Sequence, residues 1–307
     1  MGVQGLINVR KALNALNPRQ VKELSEQPVR VALHAANQES FARMEDFFLQ
    51  ELSPARRRES ALLLTRAPIA PNSAADLFVY DEGVIAPVGG LIFRADRPQQ
   101  FVEKALKSHE QLGIPLAKSF HPFRRPYIEH VINKTARENA LFSMATALPD
   151  VIPNLIELPW AVAEFASDTA FLTMNQIRMA FMIAAASDRE VGYREQKSEI
   201  ATVIGSAFGW RALARQLVSK VPFGGGLVGK TAVAYAATKV LGLSLDHFYS
   251  IGFTYAREER DRIYADASRQ GKVVAGRILR HLRPDLAAKY AESARQNMDA
   301  GSAYKSR

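Results

Sequence analysis

Residues 28–120 alternate between short apolar runs and stretches with a helical period. "PVRVALHAA" (28–36) is nearly continuous in apolar residues, the pattern of a strand buried on both faces. "SFARMEDFFLQEL" (40–52) changes to a helical period behind an N-cap serine. "ALLLTRA" (61–67), "DLFVYDEG" (76–83) and "GLIFRAD" (90–96) are short runs bounded by polar or turn-forming residues, and each predicts a strand. "PQQFVEKALKSHEQLG" (98–113) predicts a second amphipathic helix ending at Gly113, and "IPLAKSF" (114–120) a further strand. Strands alternating with helices predict a small α/β unit with a partly parallel sheet and the outline of a nucleotide fold.

From about Pro126 the period becomes helical throughout. Residues 127–148, 160–188, 193–221 and 241–270 read as long helices, with breaks at Pro149, Pro153, Pro159 and Pro222. The expected fold class is α+β with two domains. An N-terminal helical segment (1–27) precedes the small α/β domain (28–120), a mostly helical domain (121–284) and a polar C-terminal tail (285–307).

The segment "WAVAEFASDTAFLTMNQIRMAFMIAAASD" carries the clearest seam. At 100° per residue, Glu164, Asp168, Asn175 and Arg178 fall within an arc of about 80°, and Gln176 is the polar exception on the apolar remainder. Three readings of this seam are open. It is a solvent-facing strip, an internal polar network with Arg211 and Arg215 of the next helix, or the protein-facing side of a membrane helix. Spanning meets a count against it, because "TAFLTMNQIRMAFMIAAAS" has Arg178 at its centre, at about 2.5–3.5 kcal/mol for insertion.

Composition narrows the chemistry. The chain has 307 residues, 48% of them hydrophobic, which is enough for a sizeable core. With no cysteine it has neither disulfides nor thiolate ligands, and its six histidines show no metal-binding spacing. The net charge of +9 favours anionic partners, although only Arg56–Arg58 and "HPFRRP" (121–126) approach a basic cluster, so there is no specific nucleic-acid signal. The first twenty residues lack a secretory apolar core. Leu6 stands where a myristoylation motif wants Ser or Thr. Val3, Leu6, Ile7, Leu13 and Leu16 suit a helix packed on the protein or laid on a membrane surface.

"VPFGGGLVGKTAVAYAA" (221–237) spells G-x-x-x-x-G-K-[ST] through Gly224, Gly229, Lys230 and Thr231, a spacing that roughly one chain in a hundred would show by chance. A phosphate loop needs a strand entering and a helix leaving. The preceding "WRALARQLVSKVPF" reads instead as a helix stopped by Pro222. The glycines and alanines also suit a helix start and a close crossing of two helices. In the α/β unit, "VRVALHAA" runs into "NQESFARME" with no Gly-rich turn or lysine, and no N-K-x-D motif follows.

The stretches "TAFLTMNQIRMAFMIAAASDRE" and "GSAFGWRALARQLVSKVPFGGGLVGKTAVAYAATKVLG" resemble the YcjF-like, GTPase-associated bacterial domain of unknown function. The resemblance covers about residues 125–265 and rests on Thr173, Asn175 and Gln176, on Gly209 to Ala214, and on Pro222 to Gly226. It implies a membrane-associated helical domain beside a small GTPase, with no established catalytic residues. Lys230-Thr231 departs from the family pattern, and residues 28–120 lack the chemistry of a working GTPase. The expected function is therefore a non-enzymatic scaffold or accessory protein, membrane-peripheral or oligomeric, without a cofactor. Its expected partners are a GTPase, an anionic membrane surface or copies of itself, at the inner face of the bacterial inner membrane. The rival is an atypical phosphate-loop protein that binds GTP or ATP with Mg²⁺ through Gly224 to Thr231.

Overall fold

The computed structural model describes residues 18–67, 75–148, 168–202, 225–288 and 291–292. Among them the chain is mostly helical with one small parallel sheet, an α+β layout. Pro18–Val131 and Phe181–Glu195 form one compact unit; the described residues of Ile132–Ala180 and those from Gln196 onward form the other.

The first unit begins with helix α1 (Pro18–Glu26) and strand β1 (Val31–His34). All four residues of β1 are buried, as its apolar run requires of a central strand. Helices α2 (Gln38–Leu49) and α3 (Pro54–Ala61) lead to β2 (Leu64–Arg66), followed by β3 (Leu77–Asp81) and β4 (Leu91–Phe93). The sheet order is β2-β1-β3-β4, and every neighbouring pair is parallel. Residues 82–90 suffice to join β3 to β4 because Leu91 pairs with Val79 and Phe93 with Asp81. That register starts β4 near the end of β3, so the chain has little distance to return.

Three local expectations are corrected here. Helix α2 is capped by Asn37: its side chain accepts the Ser40 N–H at 2.8 Å, and Ser40 Oγ accepts the Asn37 N–H at 3.1 Å. Ser40 is thus the reciprocal member of a capping box and not the cap itself. Helix α4 (Pro98–Ser108) stops before Gly113, and a 3₁₀ turn (Glu110–Leu112) leads into α5 (Gly113–Ser119). Gly113 therefore starts a helix, and the stretch 114–120 is helical where a strand was expected. A Cβ on Gly113 would lie 2.4 Å from the Tyr127 ring, so this glycine is required by a close approach.

Phenylalanines from α2, β4, α4, the turn after α5, and α6 (His121–Ala145) fill this unit. Phe48 is fully buried, with its ring centroid 5.0 Å from Phe120, 5.7 Å from Phe123 and 6.0 Å from Phe101. Edge-on contacts of this kind add to the hydrophobic gain of burying large rings.

The second unit contains much of α6 and of α7 (Asp168–Ala186), together with α8 (Gly225–Ile251) and α9 (Arg257–Leu282). The expected helix over 241–270 is broken. Gly252, at φ +82°, ends α8, and its N–H donates to Phe248 O at 2.8 Å, a left-handed C-cap suited to glycine. Helix α9 restarts at Arg257, where Glu259 Oε2 accepts the Ala256 N–H. The two helices pack antiparallel: Ala236 and Val240 meet Ala267, Ala232 meets Gly271, and Val228 lies with Ala275 and Leu279. Just beyond Pro284, in the segment read as a polar tail, Leu286 and Ala287 pack on the Met144, Val228 and Leu279 cluster.

Candidate functional site

In the second unit Asn175 and Gln176 of α7 point into the helix pack. Asn175 and Gln176 are each only 6% exposed, and Asn139 on α6 and Thr238 on α8 are fully buried. The Asn175 amide donates to Glu138 Oε2 at 3.1 Å and to Asn139 Oδ1 at 2.9 Å. Asn139 Nδ2 donates to Thr238 Oγ1 at 2.8 Å, and Gln176 Nε2 donates to the same oxygen at 3.0 Å. Thr238 Oγ1 in turn donates to Ala234 O at 2.9 Å.

The result is a directed chain across three helices. A hydroxyl has one proton to give and two lone pairs to fill, and Thr238 uses all three. Both protons of the Asn175 amide are also engaged. Each such bond contributes about 1 kcal/mol net, and bonds in series polarise one another. The arrangement suits register and rigidity. Thr238 could not attack a substrate without breaking the bonds that hold it, and Glu138, which accepts from Asn175, is half-buried.

Asn175, a seam residue, and Gln176, on the apolar remainder, join an internal polar network. Its partners are Glu138, Asn139 and Thr238, none of them among the site residues expected from the sequence. For Thr238 the signal was a polar residue on an apolar helix face, between Ala237 and Leu241, whereas Asn139 shares its face of α6 with the buried Thr135 and Ser143. Arg178 is half-buried. Asp168 is the first residue of α7, while Glu164, Arg211 and Arg215 lie outside the described residues. Thr173, grouped with Asn175 and Gln176 in the sequence, takes no part, and its buried hydroxyl has no hydrogen-bond partner.

The glycine–lysine–threonine stretch lies inside a helix. Helix α8 begins at Gly225, so Gly229, Lys230 and Thr231 belong to its second turn. Backbone N–H groups there are directed at carbonyls four residues back, whereas a phosphate cradle needs them free. Thr231 is fully buried, with Oγ1 3.8 Å from Met144 Sδ. Gly224 and the segment that would have to be a strand, 203–224, lie outside the described residues. In the α/β unit the N-terminus of α2 spends one of its free N–H groups on its own capping box.

Two further features bound the chemistry. Among the described residues no group of acidic or histidine side chains could hold a metal ion, and no helix is long and apolar enough to cross a membrane. At the α8–α9 turn the surface is apolar: Phe248, Ile251 and Phe253 are exposed, Phe253 by 73%, and the His247 and Tyr255 rings stack at 3.9 Å. No protein-family description, curated protein or solved structure matches this chain.

Proposed function

We propose that this chain is a non-enzymatic scaffold or accessory protein that acts through contact surfaces of its helical unit. The observation that carries this reading is the contrast within that unit. Asn139, Asn175, Gln176 and Thr238 in its interior are bonded to one another, while Phe248, Ile251 and Phe253 stand in solvent at the turn between two long helices. Leaving large apolar side chains exposed at a turn costs solubility unless a partner or a lipid interface receives them.

An anionic membrane surface is the contact this reading favours, supported by the +9 charge. Along α9 no acid occurs from Ala267 to Leu282, while Arg269, Arg277 and Arg280 are exposed on the side opposite the buried Gly271 and Ala275, and Lys272 is exposed beside it. Cationic side chains near an anionic leaflet contribute about 1 kcal/mol each. The resemblance of residues 125–265 adds a small GTPase as the protein partner to be expected.

The test is co-sedimentation of the full chain with phosphatidylglycerol vesicles at low salt, beside a variant carrying Ile251→Asp and Phe253→Asp. Burying each of these two side chains is worth about 2 kcal/mol, so the variant should partition at least about tenfold less. A chain that stays monomeric and unbound, or a variant that binds equally well, would remove the membrane reading. Self-association that the variant abolishes would assign the turn to copies of the same chain.

A further inference from the structure

A second cluster, in the α/β unit, gathers three cations around one carboxylate. Asp188 follows the end of α7 in a left-handed conformation, φ +58°. The Arg189 N–H reaches back to Ala184 O at 2.9 Å and the Asp188 N–H to Ala185 O at 3.1 Å, which closes the helix end. This turn presents the Asp188 carboxylate to three elements. Oδ2 lies 2.7 Å from Arg56 Nη2 of α3, and Oδ1 lies 3.9 Å from Lys118 Nζ of α5. Arg124 of α6 feels both the Asp188 charge and the repulsion of Arg56.

The cations do not depend on Asp188 for their placement. Lys118 Nζ donates to Ser25 O at 2.8 Å, Arg124 Nε is directed at Ala117 O at 3.4 Å, and Arg56 Nη1 pairs with Glu59 at 3.0 Å. Take away the Asp188 carboxylate and three ordered cations remain, with Glu59 the remaining acid among these contacts. Even with Asp188 in place, three positive charges face two negative ones. Burial pulls the Arg124 guanidinium below the usual arginine range, which Asp188 opposes and Arg56 reinforces, so this corner gains from further negative charge.

The geometry points to a receptor for a dianionic phosphoryl group, built from Arg56, Lys118 and Arg124 and filled here by Asp188 as an internal stand-in. A phosphate monoester offers three terminal oxygens, and free phosphate four, with close to two charges, matching three cations where a carboxylate offers two oxygens and one charge. Binding exchanges the Asp188 carboxylate for the phosphoryl group and frees the turn at Ser187–Arg189. No covalent step is involved.

The test uses the full chain and inorganic phosphate by calorimetry, with chloride at matched ionic strength as the control. Asp188→Asn removes the charge and tolerates the left-handed backbone. Asp188→Gly does the same without a side chain, so a folding defect in one variant leaves the other to decide. Both should bind phosphate about tenfold more tightly than the wild type, and adding Lys118→Met or Arg124→Met should abolish the gain. Glycerol phosphate binding beside inorganic phosphate supports an esterified ligand, and binding of inorganic phosphate alone supports the free ion; either upholds the site. Equal affinity in wild type and both Asp188 variants, or a gain indifferent to Lys118 and Arg124, would overturn it.

Discussion

Six phenylalanines (47, 48, 93, 101, 120 and 123) fill the core of the α/β unit by bulk, ring edges against ring faces. The helical unit relies on the opposite device. Along α8 and α9 small residues let two backbones meet, and a Cβ on Gly271 would lie 2.7 Å from Ala232 O. Against α6 and α7, α8 offers Thr238 as the hub of a polar chain. Bulk is forgiving about direction; a hydrogen-bond chain and a close crossing fix the register. The α/β unit is thus built for hydrophobic stability and the helical unit for one defined arrangement.

The largest expected effect lies on the aromatic side of this comparison. Phe48→Ala should destabilise the α/β unit by about 3–5 kcal/mol, read as a lowered urea midpoint by circular dichroism. A loss below about 1 kcal/mol would show that the aromatic cluster is not what holds this unit.

Thr238→Val keeps the shape of the hub but leaves the Asn139 and Gln176 amides without their acceptor. The cost should be about 2–4 kcal/mol, because each buried donor left unpaired forfeits about 1–3. Replacing Asn139, Gln176 and Thr238 together by Leu, Leu and Val should recover part of that loss. A neutral Thr238→Val would mean that the chain is decorative, and the contrast between the units would lose half its content.

Gly271→Ala is the finest probe. Overpacking against the Ala232 backbone costs about 1–3 kcal/mol, and the better helix propensity of alanine returns about 1. A net loss of about 1 kcal/mol is expected in thermal unfolding. A gain would mean that the crossing is looser than the 2.7 Å approach requires.

The sheet was legible because its strands are short apolar runs between turn residues, and β1 to β4 fall within the stretches read as strands. Residues 114–120 misled because "IPLAKSF" has the composition of a strand, whereas Gly113 packs on Tyr127 and starts a helix there. The break at Gly252 was hidden within a continuous apolar pattern, since a single glycine is tolerated inside helices. In the seam, Asn175 and Gln176 were visible as polar residues on a buried helix. Their partners were not, because Asn139 lies in the mixed polar stretch "NKTAREN" and Thr238 looks like one polar residue among alanines until three helices bring them together. Periodicity reports what one helix buries; it does not report which helix lies opposite.

Gly229, Lys230 and Thr231 are parts of a packed helix, and the role proposed for this unit is contact and not nucleotide binding. Equilibrium binding of GTP and ATP with Mg²⁺, on the full chain and on Lys230→Ala, tests it most directly. No binding that depends on Lys230 is expected. Micromolar binding lost on Lys230→Ala would contradict it and restore the phosphate loop.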